Sequence, residues 1–117
     1  MTALVTGAAR RLGRAMVLEL ARRGHDVAVH FDSSEADAEA TAVAARALGV
    51  KAVSLQADLL DFDATGGLIG RAVDALGPLT VLVNNASIFE YDTLQTASQK
   101  SWTRAIDSNL RAPMFLT

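Results

Sequence analysis

Leu4-Val5-Thr6-Gly7-Ala8-Ala9-Arg10-Arg11-Leu12-Gly13-Arg14 is the stretch that decides the fold. A short apolar run passes into a helix-like run through a turn built on Gly7 and Gly13. A chain uses that arrangement to bring backbone N–H groups and a helix N-terminus up to a pyrophosphate. Gly7 permits the sharp turn, and Gly13 lets the helix pack closely on the sheet. In the usual dinucleotide fingerprint a glycine stands where this chain has Arg11. By itself such a turn is equally well a tight strand-to-helix connection, so its neighbours must decide.

Outward from the turn, apolar runs alternate with helix-like segments. Thr2–Thr6 reads as a buried strand and Arg11–Arg23 as a helix ended by Gly24. Val27–Phe31 is a short β-branched strand with both faces covered. Ser33 and Ser34 are N-cap candidates for an alanine-rich helix reaching Leu48 and stopped by Gly49. Lys51–Gln56 is a third strand, and Asp61–Leu76 a helix weakened by Gly66, Gly67 and Gly70. Gly77-Pro78 ends it before a fourth strand, Leu79–Val83. Thr96-Ala97-Ser98-Gln99 has the form of a capping box opening a last helix from Ser98. This order predicts an α/β fold, a Rossmann-like doubly wound parallel sheet in the order 3-2-1-4, cut short before a fifth strand. Its ligand crevice lies beyond the carboxyl ends of strands 1 and 4, where the order reverses.

Composition agrees and excludes alternatives. With 117 residues the chain is one domain, half of it hydrophobic and 5% of it aromatic, which suits helices on a parallel sheet. A net charge of −2, without a block of lysines or arginines, argues against nucleic acid or an anionic membrane surface as partner. The absence of cysteine excludes disulfides and thiolate metal sites, and no metal site is expected. With neither a signal-peptide pattern nor a bilayer-length apolar run, a cytoplasmic location is the expectation.

Three further features fall at the predicted crevice or are locally unfavourable. Asn84-Asn85-Ala86-Ser87 follows the fourth strand, and Ala57-Asp58-Leu59 follows the third. Asparagines do end strands through local hydrogen bonds, but two of them at the switch point are harder to dismiss. Asn109 and Pro113 lie inside the last predicted helix, where both are unfavourable, so another requirement holds them there.

Thr6-Gly7…Gly13, Asp58, Asn84-Asn85-Ala86 and Asn109 stand in an order and approximate spacing that resembles the short-chain dehydrogenase/reductases, across the whole chain. The resemblance implies an NAD(P)-binding domain over residues 1–117, the N-terminal portion of a longer reductase. It implies cofactor contacts from Thr6, Gly7, Arg10, Arg11, Leu12, Gly13, His30, Ser33, Asp58, Leu59, Asn84 and Ala86. Within them the glycine turn takes the pyrophosphate and Asp58 the adenine, while Asn84 with Ala86 lines the central strand beside the cofactor. Asn109 is implied to hold a water in the proton relay to a catalytic lysine. The TGxxxRxG turn and the Asn84-Asn85-Ala86-Ser87-Ile88-Phe89 segment are similar to the pteridine-reductase-like members. That similarity implies Ser87 and Phe89 at the substrate, Phe89 stacking on a pterin ring; a generic reductase, with Phe89 as loop packing, is the equal alternative. Phe31 stands where an NAD-selecting aspartate is usual, and Asp32 follows it. Arg10, Arg11, His30 and the hydroxyls of Ser33 and Ser34 weigh against Asp32 and favour NADP over NAD.

The same resemblance calls for a catalytic serine and a Tyr-x-x-x-Lys pair, and residues 1–117 contain no such pair: Tyr91 is followed four positions on by Gln95. Two functions therefore stand. One is the cofactor-binding part of an NADP-dependent reductase acting on a small carbonyl or imine, with a dihydropterin among the candidates. The other is a truncated, non-catalytic dinucleotide-binding or interaction module. A small-molecule substrate and a homo-oligomer follow from the resemblance alone.

Overall fold

The computed structural model describes all of residues 1–117. Strands β1 (Thr2–Val5), β2 (Asp26–Phe31), β3 (Ala52–Gln56) and β4 (Val81–Val83) form one parallel sheet in the order β3-β2-β1-β4. Helices α1 (Arg11–Arg22), α2 (Glu35–Arg46) and α3 (Phe62–Leu76) connect the strands, and α4 (Gln99–Ile106) and α5 (Ala112–Leu116) follow β4. This is the expected Rossmann-like doubly wound sheet, reversing between β1 and β4.

Alternation along the strands distributes the core. Ala3 and Val5 of β1 and Val27, Val29 and Phe31 of β2 pack with Val17 and Ala21 of α1 and Ala38, Ala42 and Ala45 of α2. Leu4 and Ala28 point to the other face, against Leu68 and Ala72 of α3 and Ala112 and Leu116 of α5. Both faces of β1 and β2 are thus covered, so their sequences read as continuous apolar runs. Fully buried Leu4 and Leu68 each contribute roughly 1.5–3 kcal/mol of transfer free energy. No helix is long and apolar enough to cross a membrane.

Three local expectations are corrected. The N-cap of α2 is Ser34, but no side-chain hydrogen bond caps it, and the helix ends at Arg46 rather than Leu48. The capping box of α4 is made by Ser98 and Ser101: Ser98 Oγ accepts the Ser101 N–H at 3.1 Å, and Ser101 Oγ accepts the Ser98 N–H at 2.9 Å. Thr96 instead binds Thr93 and Asp92 in the preceding turn. Nor is the last helix continuous, because Asp107–Arg111 forms a π-helical turn between α4 and α5, with the Ala112 N–H donating to the Asp107 carbonyl. Pro113 explains the widening: in a regular helix its ring clashes with the carbonyl four residues back, that of Asn109, and it has no N–H to donate.

Candidate cofactor cleft

At the carboxyl ends of the strands a cleft of about 630 Å³ opens, within the roughly 300–1,000 Å³ usual for small-molecule sites. Its walls are the β1–α1 turn, the β2 end with Asp32, Ser33 and Ser34, the Asp58–Leu60 segment, and Asn85–Ile88, with Ser108 from the π-helical turn. The switch point and the cleft coincide, as the topology requires.

The β1–α1 turn is held from both sides. Gly7 has φ +61°, and a Cβ there meets the Ala86 Cα at 2.9 Å, so both conformation and space demand glycine. Its N–H donates to His30 Nδ1 at 3.0 Å, and its carbonyl accepts from Asn85 Nδ2 at 3.1 Å. The Ala8 N–H donates to the His30 carbonyl at 2.9 Å. The Ala9 carbonyl accepts from Thr41 Oγ1, itself receiving a hydrogen bond from Arg14, both at 2.9 Å. Thr6 is buried beneath the turn, and its Oγ1 accepts the N–H groups of Asn85 at 3.0 Å and Ala86 at 2.9 Å. Thr6 therefore fixes the wall of the cleft without lining it.

The N-terminus of α1 opens into this cleft. Arg10 occupies the N-cap with extended backbone and makes no side-chain cap, in contrast to Asp61 on α3 and Ser98 on α4. The first-turn amides of α1 thus face the cleft without side-chain partners, the arrangement that attracts an anion. Two guanidinium groups flank them. Arg10 lies 3.5 Å from the Asp37 carboxylate, an exposed pair worth under about 1 kcal/mol. Arg11 belongs to none of the chain's ion pairs.

Arg11 has φ +55°, the only non-glycine residue in the left-handed region. It adopts the backbone conformation that favours a glycine, at a strain of about 1–2 kcal/mol. Arg11→Gly is therefore expected to raise stability by about 0.5–1 kcal/mol, the relief being offset partly by glycine's greater unfolded-state entropy. The same substitution removes a cation from the cleft and is expected to weaken dinucleotide binding. Chemical denaturation and cofactor titration of one variant check both signs; a loss of stability would remove the strain argument.

Of the residues singled out in the sequence, Gly7, Arg10, Arg11, Leu12, Gly13, His30, Ser33, Asp58, Leu59, Ala86 and Ser87 line the cleft. Asp58 Oδ1 also accepts the Leu60 N–H at 2.9 Å, which bends the chain after β3. Thr6, Asn84, Phe89 and Asn109 do not line it. Asn84 is exposed, and its neighbour Asn85 makes the contacts, donating to the Thr6 and Gly7 carbonyls, both at 3.1 Å. Phe89 is 90% exposed in the loop after β4. Asn109 clamps the Ile88 backbone, accepting its N–H and donating to its carbonyl, both at 2.9 Å, and so ties that loop to the π-helical turn. His30 brings no free charge, because burial, above all, holds its pKa below the ordinary imidazole value and both ring nitrogens face backbone groups. Sequence reading did not single out Leu60, Ile88 or Ser108 as cleft residues, and it placed Asn85 in the crevice segment without giving it a contact. The adjacency of Ser108 to Asn109 was the one available sign for it. No group of three or more His, Cys, Asp or Glu is placed to hold a metal ion.

Comparison with known proteins agrees with this geometry. A family model described as short chain dehydrogenase matches residues 1–117. A curated relative, the 3-oxoacyl-[acyl-carrier-protein] reductase FabG of Staphylococcus aureus, is 40% identical over 94% of this chain and 45% of its own length. Among solved structures, the FolM alternative dihydrofolate reductase 1 of Brucella suis in complex with NADP superposes with a TM-score of 0.93 at 39% identity, covering 98% of this chain and 48% of that one. A short-chain dehydrogenase of Burkholderia cenocepacia in complex with NADP gives 0.94 at 36% identity, covering 97% and 46%. The chain spans just under half the length of these relatives. With a matching family model along its full extent and a switch-point cleft built on a glycine turn, the chain belongs to the short-chain dehydrogenase family.

Proposed function

We propose that residues 1–117 are the cofactor-binding portion of an NADPH-dependent reductase acting on a small carbonyl or imine. The observation that carries this is the uncapped N-terminus of α1, flanked by Arg10 and Arg11, opening into the switch-point cleft. The residues fit a dinucleotide phosphate. The Gly7 N–H and carbonyl are already engaged, which leaves the amides at Arg11, Leu12 and Gly13 for the pyrophosphate. Arg10, Arg11, Ser33 and Ser34 surround the place for a 2′-phosphate, and only a weak exposed pair with Asp37 competes for Arg10. The Gln56 amide donates to the Asp32 carbonyl at 3.2 Å and to its Oδ1 at 3.4 Å, giving that carboxylate a partner outside the phosphate group. Asp58 and Leu59 take the adenine side, and Ala86 borders the cofactor from the end of β4. When bound, the nicotinamide supplies a hydride.

Reduction of a carbonyl or imine also needs a proton donor for the charge that develops, and residues 1–117 contain no Tyr-x-x-x-Lys to provide it. In this reading those groups come from residues outside 1–117. Asn109 acts from a distance by fixing the loop that carries Ser87 and Phe89. A dihydropterin is the substrate we favour within the class. The similarity to a dihydrofolate reductase and the placement of Arg11 and Ser87 at one cleft support it.

The test is a titration of the full-length natural chain with NADPH and NADH, and of its Arg10→Ala variant. NADPH is expected to bind at least about tenfold more tightly, and Arg10→Ala to remove about tenfold of that preference while leaving NADH little changed. Tighter NADH binding would overturn the cofactor assignment. Steady-state rates with a dihydropterin test the substrate half, and no turnover would restrict the reading to other carbonyl or imine substrates.

A further inference from the structure

His30 is 2% exposed and lies on the same face of β2 as Ala28. Its Nδ1 accepts the Gly7 N–H at 3.0 Å, and its Nε2 is 2.8 Å from the Ala57 carbonyl, which has no proton to give. Both contacts are satisfied by one state only, the neutral imidazole with its proton on Nε2. The His30 carbonyl accepts the Ala8 N–H as well. One residue thus holds two consecutive amides of the glycine turn and, through Ala57, the segment carrying Asp58 and Leu59.

We infer that His30 is a positioning residue for the dinucleotide: its neutral ring locks the pyrophosphate turn to the adenine-side segment, and protonating it releases the turn. The inference rests on the cofactor reading above for its effect on binding, but the latch itself exists in the ligand-free chain. The imidazolium carries an N–H at Nδ1, which faces the Gly7 N–H donor to donor, so one of the two must move. The Gly7 carbonyl cannot follow freely, because Asn85 holds it and the Gly13 backbone lies against it.

The surroundings set the direction. Burial disfavours the charged ring most, and Arg71 of α3 adds to that effect. The hydrogen bond to the Ala57 carbonyl and the Asp32 carboxylate at the end of β2 oppose it. Arg10 and Arg11 of the turn and Asp58 after β3 stand around the same cleft. The net result is a pKa below the ordinary imidazole value. Since the native ring binds fewer protons than the unfolded one, the latch is complete above about pH 6.5 and is lost as pH falls through the lower folded value.

Two non-titrating variants separate the bonds. In H30N the amide oxygen takes the place of Nδ1 and still accepts from Gly7. In H30Q the amide nitrogen reaches toward Ala57 but leaves the Gly7 N–H without an acceptor. At about pH 7.5, H30N is expected to bind NADPH within about threefold of the natural chain and H30Q about tenfold more weakly. The 2′-phosphate titrates near pH 6 itself, so the readout is the ratio of Kd values, natural chain over H30N, which cancels it. That ratio is expected to stay flat down to the folded titration midpoint of His30 and to rise about tenfold within one pH unit below it.

Nitrogen-15 NMR of the ligand-free chain gives an independent check, since His25 is the only other histidine. The His30 ring should show the Nε2–H tautomer, and the Gly7 amide shift should follow its titration midpoint. An Nδ1–H tautomer, a Gly7 amide blind to the ring, or a Kd ratio that stays flat through that midpoint would overturn the latch. Failure of NADPH to bind at any pH would instead sink the proposed function, leaving the latch to be judged by the two NMR signals alone.

Discussion

Gly13→Ala is expected to destabilise the protein by about 3 kcal/mol, the upper end of the range for overpacking, and to lower Tm by about 10 °C or more. A Cβ built on Gly13 lies 2.2 Å from the Gly7 carbonyl oxygen, 2.7 Å from Asn85 Nδ2 and 2.8 Å from the Ala8 Cα. Two of those atoms are backbone, and neither is free to give. The Gly7 carbonyl is held by Asn85, and Ala8 is held through its N–H by His30. The remaining response is for the first turn of α1 to lift away, which takes the phosphate-facing amides with it. NADPH affinity should therefore fall by at least about tenfold alongside stability. Gly70→Ala is the matched comparison, since a Cβ there meets nothing within 4 Å on α3. That substitution is expected to stabilise by about 0.5–1 kcal/mol. Thermal unfolding of both variants decides the point, and a Gly13→Ala protein melting within about 2 °C of the natural one would refute the packing argument.

The contrast between those two glycines marks how far the sequence could be read. Spacing and context placed Gly7 and Gly13 at the switch point, and the apolar runs gave the strand order, because buried parallel strands announce themselves by composition. Side-chain direction was not legible. Asn84 and Asn85 are identical in type and adjacent in the chain, yet only Asn85 reaches the turn. The sequence likewise offered no sign that His30 directs both nitrogens to backbone groups, so a histidine counted toward the 2′-phosphate is a neutral strut. Asn109 and Pro113 are local misfits by residue type alone, but the form of the remedy, a π-helical turn, depends on carbonyl geometry that residue types do not encode. The last helix opens at Ser98 as expected, but its capping box is Ser98 with Ser101 rather than Thr96 with Gln99, because Thr96 has partners in Asp92 and Thr93. Tertiary contacts decided each of these.

Thr6→Val carries the second large effect, and for a different physical reason. Valine matches threonine in shape, so packing at this buried site is retained and only the hydroxyl is lost. Thr6 Oγ1 is the acceptor for the Ala86 N–H, which has no other partner, and for the Asn85 N–H, which is shared with the Val83 carbonyl at 3.1 Å. One amide is thus orphaned outright and a second is weakened. An orphaned buried amide costs about 1–3 kcal/mol, so Thr6→Val is expected to destabilise by about 2–3 kcal/mol. Thr6→Ser keeps the acceptor and loses one methyl group, for which about 1 kcal/mol is expected. The functional consequence should exceed the structural one. The Ala86 Cα sits against Gly7, where no Cβ fits, so a freed Ala86 moves one wall of the cleft relative to the turn that forms the other. NADPH binding is expected to weaken by about tenfold in Thr6→Val and by less than about threefold in Thr6→Ser. Urea denaturation and cofactor titration of the pair test this directly. A serine variant that is weaker than the valine one would mean that the methyl group, not the hydroxyl, holds the cleft together.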